Sequence, residues 1–243
     1  MSKKTKPVSN ILNFEQTLEQ SKKKFSVFDL YTINPLTDNQ EKAFEAWKEG
    51  KDLFLGGSAG TGKTLLALYF ALDYVLDHST PSKNIVIIRS IVPSREIGFL
   101  PGEEDEKIAP YEAPYRLLCD QLFKWKNSYE NMKRAGIIRF EPTSFLRGIT
   151  LDESVVILEE VENFNWVEVV TAMSRVGMDS RVIVAGDVKQ TDLNKKNDST
   201  GFYRLHDVTR LMPNFSHVMF TRDDIVRSGF VKDFIIACED LNF

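Results

Sequence analysis

The chain has 243 residues, of which 42% are hydrophobic, so it is long enough for one α/β domain with a buried core. Its formal net charge of -4 lacks the basic excess that nucleic-acid-binding proteins usually carry, although total charge does not exclude a local basic patch. No apolar run reaches the roughly 18 residues of a membrane helix, and the polar start differs from a secretory signal. The cysteines, Cys119 and Cys238, indicate neither a disulfide framework nor a zinc site. We therefore expect a cytoplasmic protein without a membrane partner.

Two regions differ in composition along the chain. Residues 1–34 are polar and rich in lysine, which predicts a basic N-terminal arm, and residues 35–243 alternate strand-like and helix-like segments. The predicted strands are Leu53 to Gly57, Asn84 to Arg89, Ile137 to Glu141, Ser154 to Leu158, Arg181 to Asp187 and His217 to Phe220. The predicted helices are Asn39 to Trp47, Thr64 to Asp77, Tyr115 to Arg134, Trp166 to Val176 and Ile225 to Cys238. Short, continuously apolar strands separated by helices predict an α/β fold, with a mostly parallel sheet covered by helices on both faces.

A glycine-rich loop follows the first predicted strand and precedes a strongly apolar helix. It has the pattern G-x-x-x-x-G-K-T of a phosphate-binding P-loop, which here comprises Gly57, Ser58, Ala59, Gly60, Thr61, Gly62, Lys63 and Thr64. Glycines let backbone N–H groups wrap closely around phosphate oxygens, and the start of the helix adds a favourable dipole. We expect Lys63 to reach the β- and γ-phosphates of ATP and the Thr64 hydroxyl to bind Mg²⁺.

Two glutamates follow the fourth predicted strand, at the position of a Walker B motif. We expect Glu159 to hold the magnesium shell and Glu160 to act as the general base that polarises the attacking water. In an alternative frame Glu160 takes the metal role and Glu162 is the base.

The fifth predicted strand ends in the segment GDVKQTDL, which resembles the third motif of superfamily 1 helicases. That resemblance implies that Gln190 senses the γ-phosphate and that Asp187 supports the network of magnesium and water. With the other motifs, the chain resembles the PhoH-like family of P-loop ATPases, in the short form often encoded by bacteriophages. The matching segments span roughly Pro35 to Asp233 and are GGSAGTGKT, IGFLPG, FLRGIT, ILEEVEN, SRVG, GDVKQTDL and DIVRSGFVKD.

The resemblance implies an ATPase of the RecA and superfamily 1 helicase type, built as a ring of six subunits. It also implies action on RNA or single-stranded DNA, and a location in the host cytoplasm if a phage encodes the chain. The family usually has aspartate and glutamine where this chain has Glu159 and Glu162, which leaves the metal shell and the rate of hydrolysis open.

Further site residues are expected by analogy with helicase-like ATPases. Gln40 is a candidate to hydrogen-bond adenine, with a helix-surface glutamine as the alternative. Arg227, favoured over Arg175, is a candidate arginine finger that a neighbouring subunit would supply, and either could instead form a structural ion pair. Candidates for contacts with a nucleic-acid backbone, or for plain surface charges, are Arg89, Ser90, Lys107 and Arg147.

Two other functions compete with an ATP-driven motor on nucleic acid. The first is a nucleotide-switched oligomeric binding module with little or no hydrolysis, which Glu159 in place of aspartate favours. The second is a small-molecule kinase, which the sequence disfavours because it shows no arginine-rich lid segment.

Overall fold

The structure, a computed structural model, describes residues 25–91, 104–187 and 201–241, and the side chains of all of these except 104–107. Most of the predicted arm, the IGFLPG segment and Gln190 therefore lie outside the described residues.

In the part of the chain that the structure describes, six strands form one sheet in the order β3-β2-β4-β5-β1-β6, and every neighbouring pair is parallel. The strands are β1 Asp52–Gly57, β2 Asn84–Arg89, β3 Ile138–Pro142, β4 Ser154–Glu159, β5 Arg181–Gly186 and β6 Phe215–Phe220. The predicted parallel α/β sheet is confirmed. Since all strands run the same way, the segments that follow them meet at one edge of the sheet.

Helices cover both faces of the sheet. They are α1 Asp38–Lys48, α2 Lys63–Leu76, α3 Glu104–Leu122, α4 Ser128–Arg134, α5 Trp166–Met173, α6 Gly201–Arg210 and α7 Gly229–Asp240. Successive strand residues point to opposite faces, so Leu53 and Leu55 join the core under α1 to α4, whereas Phe54 joins the core under α5 and α6. Strands that are apolar on both faces are what a sheet covered on both sides requires.

Several predicted helix boundaries differ from the structure. The helix predicted at Trp166 to Val176 ends at Met173. The helix predicted at Tyr115 to Arg134 is two helices, since the first ends at Leu122 and Asn127, directly before the second, has a left-handed backbone (φ 59°) that a continuous helix does not allow. The first of the two starts earlier than expected and carries Pro110 and Pro114 inside it, residues that normally signal a helix boundary. The last helix begins at Gly229 rather than Ile225, after a 3-10 turn at Arg222–Asp224.

Helix α6 was not predicted at all. Its short sequence is mostly polar, but it buries Phe202 and Leu205 against the sheet. The start of the described chain also contacts the domain, since Phe25 and Leu30 are buried in the core and Tyr31 N donates to Leu122 O at 2.7 Å. Among the described helices, none has the length and apolar character that crossing a membrane requires.

Candidate functional site

A cleft of about 780 Å³ lies at the carboxyl edge of the sheet. The phosphate loop and the ends of β4 and β5 form one side, and α3 forms the other side through Pro114, Leu117 and Gln121. Charged residues from five parts of the chain reach this cleft, namely Lys63, Arg89, Glu159, Glu160, Glu162, Asp187 and Arg227. The parallel sheet thus brings the predicted phosphate loop and the predicted acidic strand end together.

The phosphate loop depends on backbone conformations that favour glycine. Gly57, Gly60 and Gly62 have φ values of 111°, 72° and 87°, in the region that residues with a Cβ atom disfavour. The loop is anchored to the neighbouring strand, because Ser58 N donates to Phe220 O at 3.1 Å. A Cβ atom built on Gly57 would lie 2.0 Å from that same carbonyl oxygen. The loop is therefore a close-fitting backbone cradle, as phosphate binding requires.

Lys63 is the first residue of α2 and turns back over the loop. Its Nζ atom donates to Gly57 O at 2.9 Å and to Ser58 O at 2.7 Å. Burial lowers the pKa of Lys63, although the nearby carboxylates of Asp187, Glu162 and Glu159 act in the opposite direction. A desolvated ammonium group at a backbone cradle is well suited to bind a phosphate anion.

Thr64 and Glu159 connect the phosphate loop to the end of β4. The Thr64 hydroxyl donates to Glu159 Oε1 at 2.6 Å, and Glu159 is 5% exposed. Its other oxygen, Oε2, is buried and has no hydrogen-bond partner among the described residues. Burial raises the pKa of Glu159 to about 7, against the effect of the Thr64 hydrogen bond. A hydroxyl beside a buried carboxylate oxygen that lacks a partner is an oxygen donor set of the kind Mg²⁺ prefers, so these residues fit that ion.

Glu160, the predicted general base, has an unusual backbone and a charged partner. Its φ of 53° is left-handed, and its side chain lines the cleft with 36% exposure. The carboxylate forms an ion pair with Arg89 at the end of β2. The contact of Arg89 with nucleic acid stays a prediction, and in the structure its ion-pair partner is Glu160.

Glu162 bridges the ends of two strands. Its Oε2 atom accepts a hydrogen bond from Asp187 N at 2.9 Å, and the residue is 4% exposed. Burial raises the pKa of Glu162 to about 8. This contact commits one oxygen of Glu162 to the backbone that follows β5. The alternative frame, with Glu160 as metal ligand and Glu162 as base, stays a prediction.

The segment before α7 packs against the phosphate loop of the same chain. Val226 N donates to Gly60 O at 3.1 Å, and Arg227 Cγ lies 3.0 Å from the position of a Cβ atom on Gly60. Ser58 Oγ donates to Glu239 Oε1 at 2.7 Å, a contact that nothing in the sequence pattern signals. Arg227 is exposed and lines the cleft of its own chain.

The other candidate arginine lies elsewhere. Arg175 O accepts a hydrogen bond from Leu151 N at 2.8 Å. Because Leu151 lies just before the start of β4, this contact is at the opposite edge of the sheet from the cleft. Of the two arginines, the structure brings only Arg227 to the described cleft.

Gln40 lies behind the phosphate loop and supports it. The side chain is buried, its Oε1 atom accepts from Leu36 N at 2.8 Å, and its Nε2 atom donates to Thr61 O at 3.0 Å. Both ends of the amide thus bond to the backbone, and contact with adenine stays a prediction. Ser90 Oγ donates to Glu168 Oε1 at 3.0 Å, Arg147 is exposed, and the Lys107 side chain lies outside the described part.

The parallel sheet, the phosphate loop between β1 and α2 and the acidic end of β4 define a domain with a P-loop NTPase fold. One strand, β5, separates the strand with the acidic end from the strand that precedes the loop. Residues 32–239 match the family described as PhoH-like protein, and the chain belongs to this family. The family predicted from the motifs is thereby confirmed.

Relatives match over most of the chain. A PhoH-like protein of Bacillus subtilis (strain 168) is 33% identical over 213 residues, which cover 87% of this chain and 65% of the relative. A PhoH-like protein of Mycobacterium tuberculosis (strain ATCC 25618 / H37Rv) is 32% identical, covering 85% of this chain and 58% of the relative. This chain thus spans less than two thirds of the length of either relative. Among solved structures, the Pif1 helicase from Candida albicans matches with a TM-score of 0.45 and 17% identity, over 86% of this chain and 44% of the helicase.

Proposed function

We propose that this chain binds ATP with Mg²⁺ in the cleft and hydrolyses the nucleotide to ADP and phosphate. The observation that carries the proposal is the convergence of Lys63, Thr64 and Glu159. It brings the phosphate loop that follows β1 into contact with the buried carboxylate at the end of β4. Each of these three side chains has a chemical role in phosphoryl transfer, and no other described cleft combines them.

The residues around the cleft divide the reaction between them. The loop N–H groups and Lys63 bind the phosphate oxygens and hold the terminal phosphorus in place. Thr64 and Glu159 would hold Mg²⁺, which when bound neutralises charge on the β- and γ-phosphates. The Glu160 carboxylate orients water and accepts its proton as the oxygen attacks phosphorus. Gln190, outside the described residues, would sense the γ-phosphate.

The simplest test of nucleotide binding compares two lysines. We expect Lys63→Ala to abolish ATP binding and turnover, because it removes the cation at the cradle. Lys83→Ala is the matched control, since Lys83 Nζ donates to Thr80 O before β2, at the opposite edge of the sheet. Wild-type turnover should be roughly 1 per second or faster, in the ordinary range of enzymes. Retained turnover in Lys63→Ala would overturn the assignment of the site.

For the wider role, we propose a six-membered ring that acts on RNA or single-stranded DNA. The family membership supports this role, and a motor of this type would couple the nucleotide state to loops that hold a strand. ATP turnover measured with and without single-stranded RNA, and separately with single-stranded DNA, tests it at low salt. If single-stranded RNA and DNA both fail to stimulate turnover and both fail to bind, this half of the proposal is refuted. A measurement of the mass in solution would test the ring.

A second candidate function is a nucleotide-switched binding module that hydrolyses ATP slowly or not at all. The observation that favours it is that Glu159, whose side chain is one methylene longer than aspartate, accepts a hydrogen bond directly from the Thr64 hydroxyl. Glu159→Asp should then raise turnover well above that of the parent chain, whereas a parent chain that already turns over at an enzyme-like rate would exclude this candidate.

We also propose that Arg227 serves the site of its own chain rather than that of a neighbouring subunit. The contact of Val226 N with Gly60 O ties its segment to the loop of the same chain. Mixing the Lys63→Ala and Arg227→Ala variants tests this choice. If neighbouring subunits shared each site, activity would return wherever an intact loop faces an intact arginine of the next subunit. In a ring assembled at random from equal amounts of the two variants, about a quarter of the sites would be complete, and turnover would reach about a quarter of the wild-type value. We expect no recovery.

A further inference from the structure

The backbone of Glu160 needs support from its surroundings. Its φ of 53° lies in the left-handed region, which residues with a Cβ atom adopt only when neighbouring contacts hold them there. This turn comes directly after β4 and carries the carboxylate into the cleft. The contacts that hold the turn therefore also decide where the carboxylate points.

Two donors reach the same oxygen of that carboxylate. Arg89 Nη2 forms the ion pair with Glu160 Oε2, and Asn163 Nδ2 donates to Oε2 at 3.4 Å. Glu160 Oε1 accepts no hydrogen bond from the residues that the structure describes. The carboxylate is thus held through Oε2 alone, and Oε1 is available to accept a hydrogen bond from water in the cleft.

Arg89 is itself well fixed. It is the last residue of β2, paired in register with Glu159 on the adjacent strand, and its guanidinium lies 5.5 Å from the centre of the Tyr111 ring. Its side chain is only 17% exposed. A restrained, largely buried arginine is a precise donor to a neighbouring carboxylate and a poor contact for a nucleic-acid backbone that binds from solvent.

We propose that Arg89 is a positioning residue for hydrolysis, which with Asn163 holds Glu160 Oε2 so that Glu160 Oε1 faces the attacking water. The inference rests on the proposed ATPase function and assigns no contact between Arg89 and the nucleotide. A base oriented by a third group is a common arrangement in enzymes that activate a nucleophile. Because the Glu160 side chain is 36% exposed, solvent screens the ion pair and its contribution to stability is modest, so its orienting effect is its main contribution.

The test measures kcat separately from nucleotide affinity. Arg89→Ala should lower kcat at least about tenfold, since general base catalysis is worth about a hundredfold or more. The Kd for ATP should stay within about twofold, because uniform binding is untouched. Arg89→Lys should recover part of kcat, since it restores a cation. Arg139→Ala is the control, because Arg139 lies on neighbouring β3 and its ion-pair partner is Glu141.

A double-mutant cycle separates a positioning role from a general structural one. If Arg89 acts through Glu160, then Arg89→Ala should cause no further loss of turnover in a Glu160→Gln background. Three outcomes would each overturn the inference. The first is an unchanged kcat in Arg89→Ala, and the second is a loss of ATP affinity as large as the loss of kcat. The third is a loss of turnover on adding Arg89→Ala to Glu160→Gln that is as large as the loss in the wild-type chain.

The same variants keep the two proposals distinguishable. If the wild-type chain does not hydrolyse ATP, the proposed function fails, and the ion pair is judged by thermal unfolding instead. The double variant should then melt no lower than the less stable single variant, since each single change already removes the pair. Additive losses in melting temperature would show that the two residues do not act together, and the inference would fall.

Discussion

Replacing Gly57 with alanine should cost far more stability than replacing Gly50 with alanine. Both glycines have positive φ, 111° and 82°, so both substitutions incur the backbone penalty of a residue with a Cβ atom. At Gly50 nothing lies within 4 Å of the new atom, and the loss should be about 1 kcal/mol from the backbone alone. At Gly57 the new atom would lie 2.0 Å from Phe220 O. Relieving this overlap requires moving β6 away from the phosphate loop by more than about 1 Å, since carbon and oxygen need roughly 3 Å.

That movement should break the hydrogen bond from Ser58 N to Phe220 O and disturb the packing beside it. We expect a total loss of about 3 kcal/mol for Gly57→Ala, the sum of the backbone penalty and one overpacked contact. For a chain of this size, the melting temperature should fall by about 2–4 °C in Gly50→Ala and about 6–12 °C in Gly57→Ala. Thermal unfolding followed by circular dichroism measures both. If the two variants melt within about 2 °C of each other, the close approach of β6 to the loop is refuted.

Three further predictions follow from other contacts. Glu112→Ala should lower the free energy of unfolding by about 3 kcal/mol, because it leaves buried Tyr129 OH without its acceptor, whereas Glu130→Ala, at a half-exposed pair, should cost under about 1 kcal/mol. Equal losses in urea unfolding would contradict this difference. Ser58→Ala removes the bond to Glu239 and should speed amide exchange in α7 while costing about 1 kcal/mol, an effect that would be absent if the helix were held elsewhere. ATP at a hundredfold excess over its Kd should stabilise the chain by about 2.7 kcal/mol, and chelation of Mg²⁺ should remove most of this stabilisation.

The strands could be predicted from sequence because each is a short apolar run buried on both faces. That pattern predicts a parallel sheet whatever the strand order, and the order itself appears only in the paired register of β1 with β5 and β6. Helix α6 could not be predicted in this way, since it buries only a few apolar residues, including Phe202 and Leu205, among polar neighbours. The break at Asn127 was also hidden, because its left-handed turn is stabilised by Asp120 Oδ1, which accepts from Asn127 N at 2.9 Å.

The residue types of the site could be predicted because phosphate chemistry restricts them strongly, and because parallel strands deliver them to one edge. The hydrogen-bond and ion-pair partners of these residues could not be predicted, since each partner depends on the register of neighbouring strands. Arg89 lies beside Glu159 in the β2–β4 ladder, and it reaches Glu160 because the next residue turns through a left-handed conformation. A shift of β2 by one residue would turn this arginine to the opposite face of the sheet. The ion pair at the proposed base is therefore a property of the assembled sheet, and no motif in either strand alone contains it.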